Sequence, residues 1–223
     1  METETRQIGL KTFTFRHNKS DRWVIDEVAH PATYQKWLKI NSKDVVLDIG
    51  MNIGAFSVFY GSKAKVCIGF EPEEENYNLA VLNINQNPRE GAVIPLKKAV
   101  LGGSDKTIEL FINNGSRRDG DTIIPKRGRT RRVVDAVSIN DLIKEYKPNK
   151  IKMDCEASEY DIIKNLEDWS GIESIVVEWH RTMLKDESNT KLNEVFKILD
   201  SNFTKVQGNR DPAGWMQIIR ARK

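Results

Sequence analysis

The chain has 223 residues, 39% hydrophobic and 30% charged, enough for one α/β domain or a large all-β domain with a packed core. Its 35 Lys and Arg against 32 Asp and Glu leave a net charge of +3, which argues against a histone-like polycation and against an acidic disordered tail. No apolar run approaches the roughly 20 residues that cross a bilayer, the first residues lack the apolar stretch of a secretory signal, and Cys67 and Cys155 are too few for a disulfide framework or a structural zinc site. The expectation is a soluble, cytoplasmic protein with no membrane partner.

Residues 11–39 precede the first apolar run and predict a cap, with Ser20 or Asp21 as a helix-start signal. Residues 43–50 (KDVVLDIG) predict a buried strand ending in a glycine turn, and 54–61 a short helix. Residues 65–70 (KVCIGF) predict a second strand, and 73–85 a helix with Tyr77, Val81 and Ile84 on one face. Residues 93–100 (VIPLKKAV) predict a third strand, with Pro95 at a strand start or irregularity. Residues 107–137 interrupt the rhythm with two strand-like pieces, TIELFIN and RRVVDAV, around a basic stretch, and predict a hairpin-like insertion. Two short strands follow at 150–154 and 174–179, separated by a helix over 158–166. A helix over 189–199 leads to an antiparallel pair, 204–207 and 214–221.

Repeated βα units predict an α/β fold, a mostly parallel sheet with helices on both faces and a terminal antiparallel hairpin added to it. The expected division is a cap over 1–42 and a main domain over 43–223 carrying the insertion at 107–137. Charge is unevenly spread. Residues 116–132 hold Arg117, Arg118, Lys126, Arg127, Arg129, Arg131 and Arg132 against two acids, a net +5 that leaves the rest of the chain at −2. Such a loop suits an anionic acceptor, but it carries no Phe, Tyr or Trp to stack bases, so RNA is a possible partner without being the preferred one.

The strongest chemical signal is VVLDIGMNIG at 45–54, followed after the next strand by Phe70-Glu71-Pro72. Glycines at 50 and 54 let the backbone turn sharply and approach a ligand, and the loop opens a helix whose free N–H groups can hold an anion. Glu71, ending the second strand, is placed to accept hydrogen bonds from a ribose diol. The pattern is DxGxNxG and not the dinucleotide GxGxxG, and Asp48 suits a ligand with an ammonium group near the turn. S-adenosylmethionine has that ammonium, a carboxylate and a ribose.

VVLDIGMNIGAFS, GFEPEEENYNLAVLNINQN, KKAVLGGSDKTIELFI, VVDAVSINDLI, IKMDCEASEYDII and IVVEWH together resemble the FkbM family of S-adenosylmethionine-dependent methyltransferases, over roughly residues 43 to 205. The resemblance implies a Rossmann-like class I methyltransferase fold with a seven-stranded sheet, and methyl transfer, usually to a hydroxyl. It implies Asp48, Gly50, Asn52, Gly54 and Ser57 around the methionine end, Met51 beside it where the family commonly has a small residue, and Glu71 on the ribose with Pro72 shaping its turn. The stretch Lys98-Ala99-Val100 would border the adenine, with Ala99 at its centre. Ala157 replaces the glycine of the family's K-x-D-x-E-G-x-E signature, leaving Asp154, Glu156 and Glu159 intact.

In-line methyl transfer chiefly needs alignment of acceptor and methyl, and a hydroxyl acceptor gains from a general base. The candidates are strand-end residues: His180 or Asp154 takes the proton, with Glu178 orienting its neighbour. His180 is expected to be largely neutral at pH 7. Glu156 and Trp179 are candidates for the acceptor pocket, and Arg129 and Arg131 for its basic rim. No diagnostic metal spacing is present, although Asp154, Glu156 and Glu178 could offer oxygen ligands to Mg²⁺. The expected acceptor is a small or sugar-like molecule, neutral or anionic. An RNA ribose 2′-O-methyltransferase and a non-catalytic nucleotide- or RNA-binding module are the alternatives.

Overall fold

The computed structural model describes residues 2–17, 19–30, 33–113, 121–125, 127–186, 188–212 and 214–223. Alternating β-branched runs build a seven-stranded sheet in which side chains point by turns to either face. Its strands are β3 (Val45–Ile49), β4 (Val66–Phe70), β5 (Ala92–Leu96), β9 (Lys150–Met153), β10 (Ser174–Trp179), β11 (Lys205–Gln207) and β12 (Gln217–Arg222), in the order β11-β12-β10-β9-β3-β4-β5. Neighbours from β5 to β10 pair in parallel, while β12 runs antiparallel to both β10 and β11. This is the expected mostly parallel sheet with its terminal hairpin.

Two apolar clusters cover the two faces. Leu47 and Ile49 of β3 pack with α5 (Ile139–Tyr146), α6 (Glu159–Asn165) and α7 (Thr190–Asn202). Val46, the residue before Leu47, packs instead with α1 (Asp21–Ala29), α2 (Gln35–Leu38), α3 (Ala55–Phe59) and α4 (Glu74–Asn85). No described helix is long and apolar enough to cross a membrane.

Three local outcomes differ from the sequence reading. The run at 93–100 is two strands. β5 is the sheet edge, where Pro95 costs no ladder bond, and the chain turns at Lys98, whose N–H donates to Leu96 O (3.0 Å). Then β6 (Ala99–Leu101) joins β7 (Thr107–Ile112) and β8 (Thr130–Ser138) in a separate three-stranded sheet, ordered β6-β8-β7. The expected hairpin insertion is thus β7–β8 with a third strand drawn from the βα rhythm.

The polar N-terminus forms a hairpin of β1 (Thr3–Ile8) and β2 (Lys11–Arg16), which periodicity did not indicate. It is fixed by burial of Phe13 and Phe15 and by Asn83 of α4. The Thr14 N–H donates to Asn83 Oδ1 (2.7 Å), and Asn83 Nδ2 donates to Thr14 O (3.1 Å) and Ile53 O (2.8 Å). One buried amide therefore ties the hairpin to the glycine loop. Helix α1 begins at Asp21 as anticipated, but Ser20 makes no side-chain cap; Asp21 instead holds Arg16 through two buried contacts of 2.8 and 2.9 Å.

Candidate active site

The parallel register brings the ends of β3, β4, β9 and β10 to one edge, roofed by α1 and by the β6-β8-β7 sheet. Beneath this roof lies a cavity of about 380 Å³. Gly50, Asn52, Glu71, Pro72 and Ala99 line one part, and Asp154, Glu156, Glu178 and His180 another. Trp23 and Glu27 of α1 and Trp215 complete the wall.

The glycine loop is shaped by close approach. Gly50 has φ +75°, and a Cβ there would stand 1.7 Å from Asp154 O, so any side chain would strike the end of β9. The Gly50 and Met51 N–H groups both donate to Phe70 O (3.0 and 2.8 Å). The Asn52 N–H donates to Glu71 Oε2 (2.9 Å), Ile53 N–H to Asn52 Oδ1 (2.7 Å), and Gly54 N–H to Met51 O (2.9 Å). Every N–H from 50 to 54 therefore has an acceptor within the chain. The turn itself therefore has no N–H to spare for an anion, and the expected free N–H groups are left to the first turn of α3.

Glu71 is buried, with Oε1 accepting from the Glu73 N–H (3.0 Å) and Oε2 from Asn52. Burial pushes its pKa up to about 7, opposed by those two backbone hydrogen bonds. Oε1 also accepts from Asn76 Nδ2 (3.4 Å), which leaves Oε2, with one donor, the oxygen with a lone pair to spare. Pro72 and Ala99 also face this space.

Asp48, Met51, Gly54, Ser57 and Trp179 do not line the cavity. The β3–β9 register sets Asp48 beside Lys152. Asp48 is fully buried, its Oδ2 accepting from Ser57 Oγ (2.7 Å) and its Oδ1 standing 3.3 Å from Lys152 Nζ. The ammonium expected near Asp48 is thus supplied by the chain itself. Burial disfavours the charged lysine, but Asp48 and Asp154 outweigh it and hold the Lys152 pKa above its ordinary value. Lys152 also donates to Gly50 O (2.5 Å), so one buried cation braces β3, β9 and the loop. Met51 is turned against Gly69. Trp179 follows Glu178 in β10, so alternation sends it to the opposite face, into the core beside Tyr160.

At the other end of the cavity, His180 Nδ1 lies 2.8 Å from Oε1 of the fully buried Glu159. Its Nε2 stands 3.5 Å from Glu156 Oε2, 3.5 Å from Glu178 Oε1 and 3.9 Å from Asp154 Oδ1. Burial alone would lower the histidine pKa, yet Glu159 and Glu156 raise it well above the usual value. The expectation of a largely neutral His180 is therefore corrected by its carboxylate surroundings. Burial lifts Glu156 to about 8, and burial with Asp154 beside it raises Glu178. Glu27 of α1, which the sequence reading left out, is lifted to about 7 by burial, then by Glu178 and Asp154.

Glu156 and Ala157 carry φ +51° and +93°. Ala157 therefore keeps the backbone that a signature glycine would adopt easily, at a cost of roughly 1–2 kcal/mol for an L-residue.

The basic rim is placed only in part. Arg117, Arg118 and Lys126 lie outside the described residues. Arg129 donates to Phe111 O (3.2 Å) and Arg131 pairs with Glu109 on the neighbouring strand; neither faces the cavity. Arg132 does.

Comparison with known proteins agrees with this fold. A dimethyladenosine transferase from Plasmodium falciparum is 13% identical, matching 90% of this chain and 61% of its own, with a TM-score of 0.51. M. jannaschii TYW2, solved in complex with AdoMet, is 12% identical over 99% of this chain and 85% of its own, with a TM-score of 0.50. A methyltransferase FkbM from Methylobacillus flagellatus is 15% identical, covering 81% of this chain and 44% of its own, with a TM-score of 0.47. No curated protein sequence matches closely enough to serve as a relative. The fold is that of a class I methyltransferase, of the kind that uses S-adenosylmethionine. Residues 48–211 match the methyltransferase FkbM domain, and the chain belongs to that family.

Proposed function

We propose that the protein methylates a hydroxyl of a small acceptor held in the cavity, with S-adenosylmethionine lying along the ends of β3, β4 and β6. The observation that carries this reading is the single space shared by Glu71, Asn52 and Ala99 at one end and Asp154, Glu156, Glu178 and His180 at the other. The residues fit the cofactor. Gly50 keeps the turn free of a side chain, Glu71 Oε2 has a lone pair for a ribose diol, and Ala99 and Pro72 offer apolar walls. When bound, the sulfonium supplies an already activated methyl group.

The chain's own task is to orient the acceptor oxygen and to receive its proton. Asp154 and Glu156 are the carboxylates of this cluster most open to the cavity, with side-chain exposures of 26% and 24% against 9% for Glu178. Neither makes a side-chain hydrogen bond shorter than 3.5 Å among the described residues. We assign proton acceptance to this pair, and orientation to Glu178 and His180. Residues 1–42 serve as the cap that encloses the acceptor, and 43–223 as the domain that binds cofactor. Enclosure under α1 and the acidic character of the reacting end favour a small neutral hydroxyl compound, sugar-like in size, over a polyanion. The two unpaired cysteines accord with a reducing cytoplasm.

Calorimetry with S-adenosylhomocysteine tests the first half of this reading: micromolar binding, weakened at least tenfold by Glu71→Gln, is expected, on the order of one charged hydrogen-bond pair. Absence of binding overturns it. A labelled-methyl screen over hydroxylated small molecules, nucleotides and short RNAs tests the second. Turnover should fall by roughly 10²-fold or more in Asp154→Asn/Glu156→Gln with S-adenosylhomocysteine affinity retained.

A further inference from the structure

We infer that Asp154, Glu178 and His180 form a binding site for one divalent transition-metal ion, of the Mn²⁺ or Zn²⁺ kind, opening into the cavity. The three side chains come from two neighbouring strand ends. Asp154 follows β9, and Glu178 and His180 close β10, strands paired through Met153 and Val177. One ligand atom from each lies within 4.8 Å of the other two. Atoms bound to a common ion at about 2.1–2.4 Å are separated by roughly 3 to 4.8 Å, from adjacent to opposite positions. The separations of 3.5 Å from His180 Nε2 to Glu178 Oε1 and 3.9 Å to Asp154 Oδ1 fall inside that interval and are too long for good hydrogen bonds.

Two further observations fit a cation held here. Glu178 is only 8% exposed and faces the cavity, and its carboxylate reaches His180 Nε2 only at 3.5 Å, the outer limit of a hydrogen bond. His180 is only 2% exposed, and its Nε2 is shared among Glu156, Glu178 and Asp154 at 3.5, 3.5 and 3.9 Å, with no short bond to any of them. Long contacts of this kind satisfy buried polar groups less well than short ones, which an ion between them would replace. Meanwhile Nδ1 is taken by Glu159, which fixes the ring so that Nε2 points at the carboxylates. A buried carboxylate bonded to the far nitrogen is how proteins orient a metal-binding imidazole. Charge balance runs the same way. Glu27, Asp154, Glu156, Glu159 and Glu178 gather around His180, and the only other cation among them, Lys152, is already engaged by Asp48 and Gly50 O.

An imidazole with two carboxylates is a mixed donor set, which suits Mn²⁺, Fe²⁺ or Zn²⁺ better than the all-oxygen shells of Ca²⁺. Binding displaces the Nε2 proton to solvent, and coordination positions not filled by the three side chains face the cavity. Glu156 lies outside the ligand set and keeps its proton-accepting place, and with the ion bound to Asp154 that role falls to Glu156 alone. The ion's position beside the acceptor rests on the methyl-transfer reading, but its binding does not.

The test uses the full chain, stripped with chelator and free of cofactor and acceptor, titrated with Mn²⁺ and followed by electron paramagnetic resonance. One saturable ion per chain is expected, with paramagnetic broadening of the His180 ring resonances in the wild-type protein. Glu159→Gln should weaken binding by about 10–100-fold, and Asp154→Asn and Glu178→Gln by at least as much. Circular dichroism melts check that each variant is folded. No saturable binding, a saturable ion that leaves the His180 resonances sharp, or affinity unchanged in folded Asp154→Asn and Glu178→Gln overturns the site. Because no cofactor is present, failure of methyl transfer and failure of the ion site are read separately.

Discussion

Replacing Lys152 by Met removes the one cation that neutralises Asp48. Their 3.3 Å separation corresponds to about 5 kcal/mol of attraction at an effective dielectric of ~20. Asp154, at 3.7 Å and partly exposed, contributes less. Against this stands the cost of burying the lysine, 3% exposed, so the pair is no large net source of stability. Removing one partner is a different matter. Asp48 is 0% exposed, its only hydrogen bond comes from Ser57, and Oδ1 has none.

An uncompensated buried charge of this kind costs roughly 3–5 kcal/mol, and Lys152→Met also frees the carbonyl of Gly50. At about 2–4 °C per kcal/mol for a chain of this size, melting should fall by about 6–20 °C. Adding Asp48→Asn removes the stranded charge and should return half or more of the loss. Urea unfolding of the wild type, both single variants and the double variant measures the coupling directly. A Lys152→Met loss under about 1 kcal/mol, or a double variant no better than Lys152→Met alone, would refute the argument that this pair braces the loop.

Three further outcomes follow from the same geometry. Gly50→Ala should cost about 2–5 kcal/mol in urea unfolding, combining left-handed backbone strain with a Cβ 1.7 Å from Asp154 O; a loss below about 1 kcal/mol would contradict the contact. Asn83→Ala strands the Thr14 N–H and the carbonyls of Thr14 and Ile53, and should cost about 2–4 kcal/mol while speeding hydrogen exchange at the Thr14 amide. Glu71, raised to about 7, holds its proton more tightly when folded, so its contribution to stability falls as pH rises from about 4.5 to 7. S-adenosylhomocysteine affinity should instead fall as pH drops from 8 to 6, by up to about tenfold per unit below 7, because the proton occupies an oxygen needed by the ribose. Calorimetry across that range should find the dependence flattened in Glu71→Gln.

Local pattern was enough to establish the βα order, the glycine loop, the acid after the second strand and the antiparallel pair at the end. Each depends on short-range rules: β-branched runs favour strands, glycine permits a sharp turn, and alternating units favour a parallel sheet. Polar alternation in residues 3–16 was too weak to mark a hairpin, since its strands are held by Asn83 of α4 and Asn87 just after it, some 70 positions away. The run at 93–100 read as one strand because nothing within it says where a sheet edge lies.

The site divided in the same way. Glu71, Gly50 and Ala99 reached the cavity where the motif put them, because a strand end and its turn carry their own geometry. Asp48 did not, because its partner is selected by the register of β3 against β9, which pairs it with Lys152. Trp179 and Glu178 adjoin in sequence and part in space, since successive strand residues face opposite sides of the sheet. The protonation of His180 was equally beyond the sequence. Its charge is decided by carboxylates that neighbouring strand ends and a helix start bring around one ring, and electrostatic energy depends on distance and burial, which tertiary structure alone supplies.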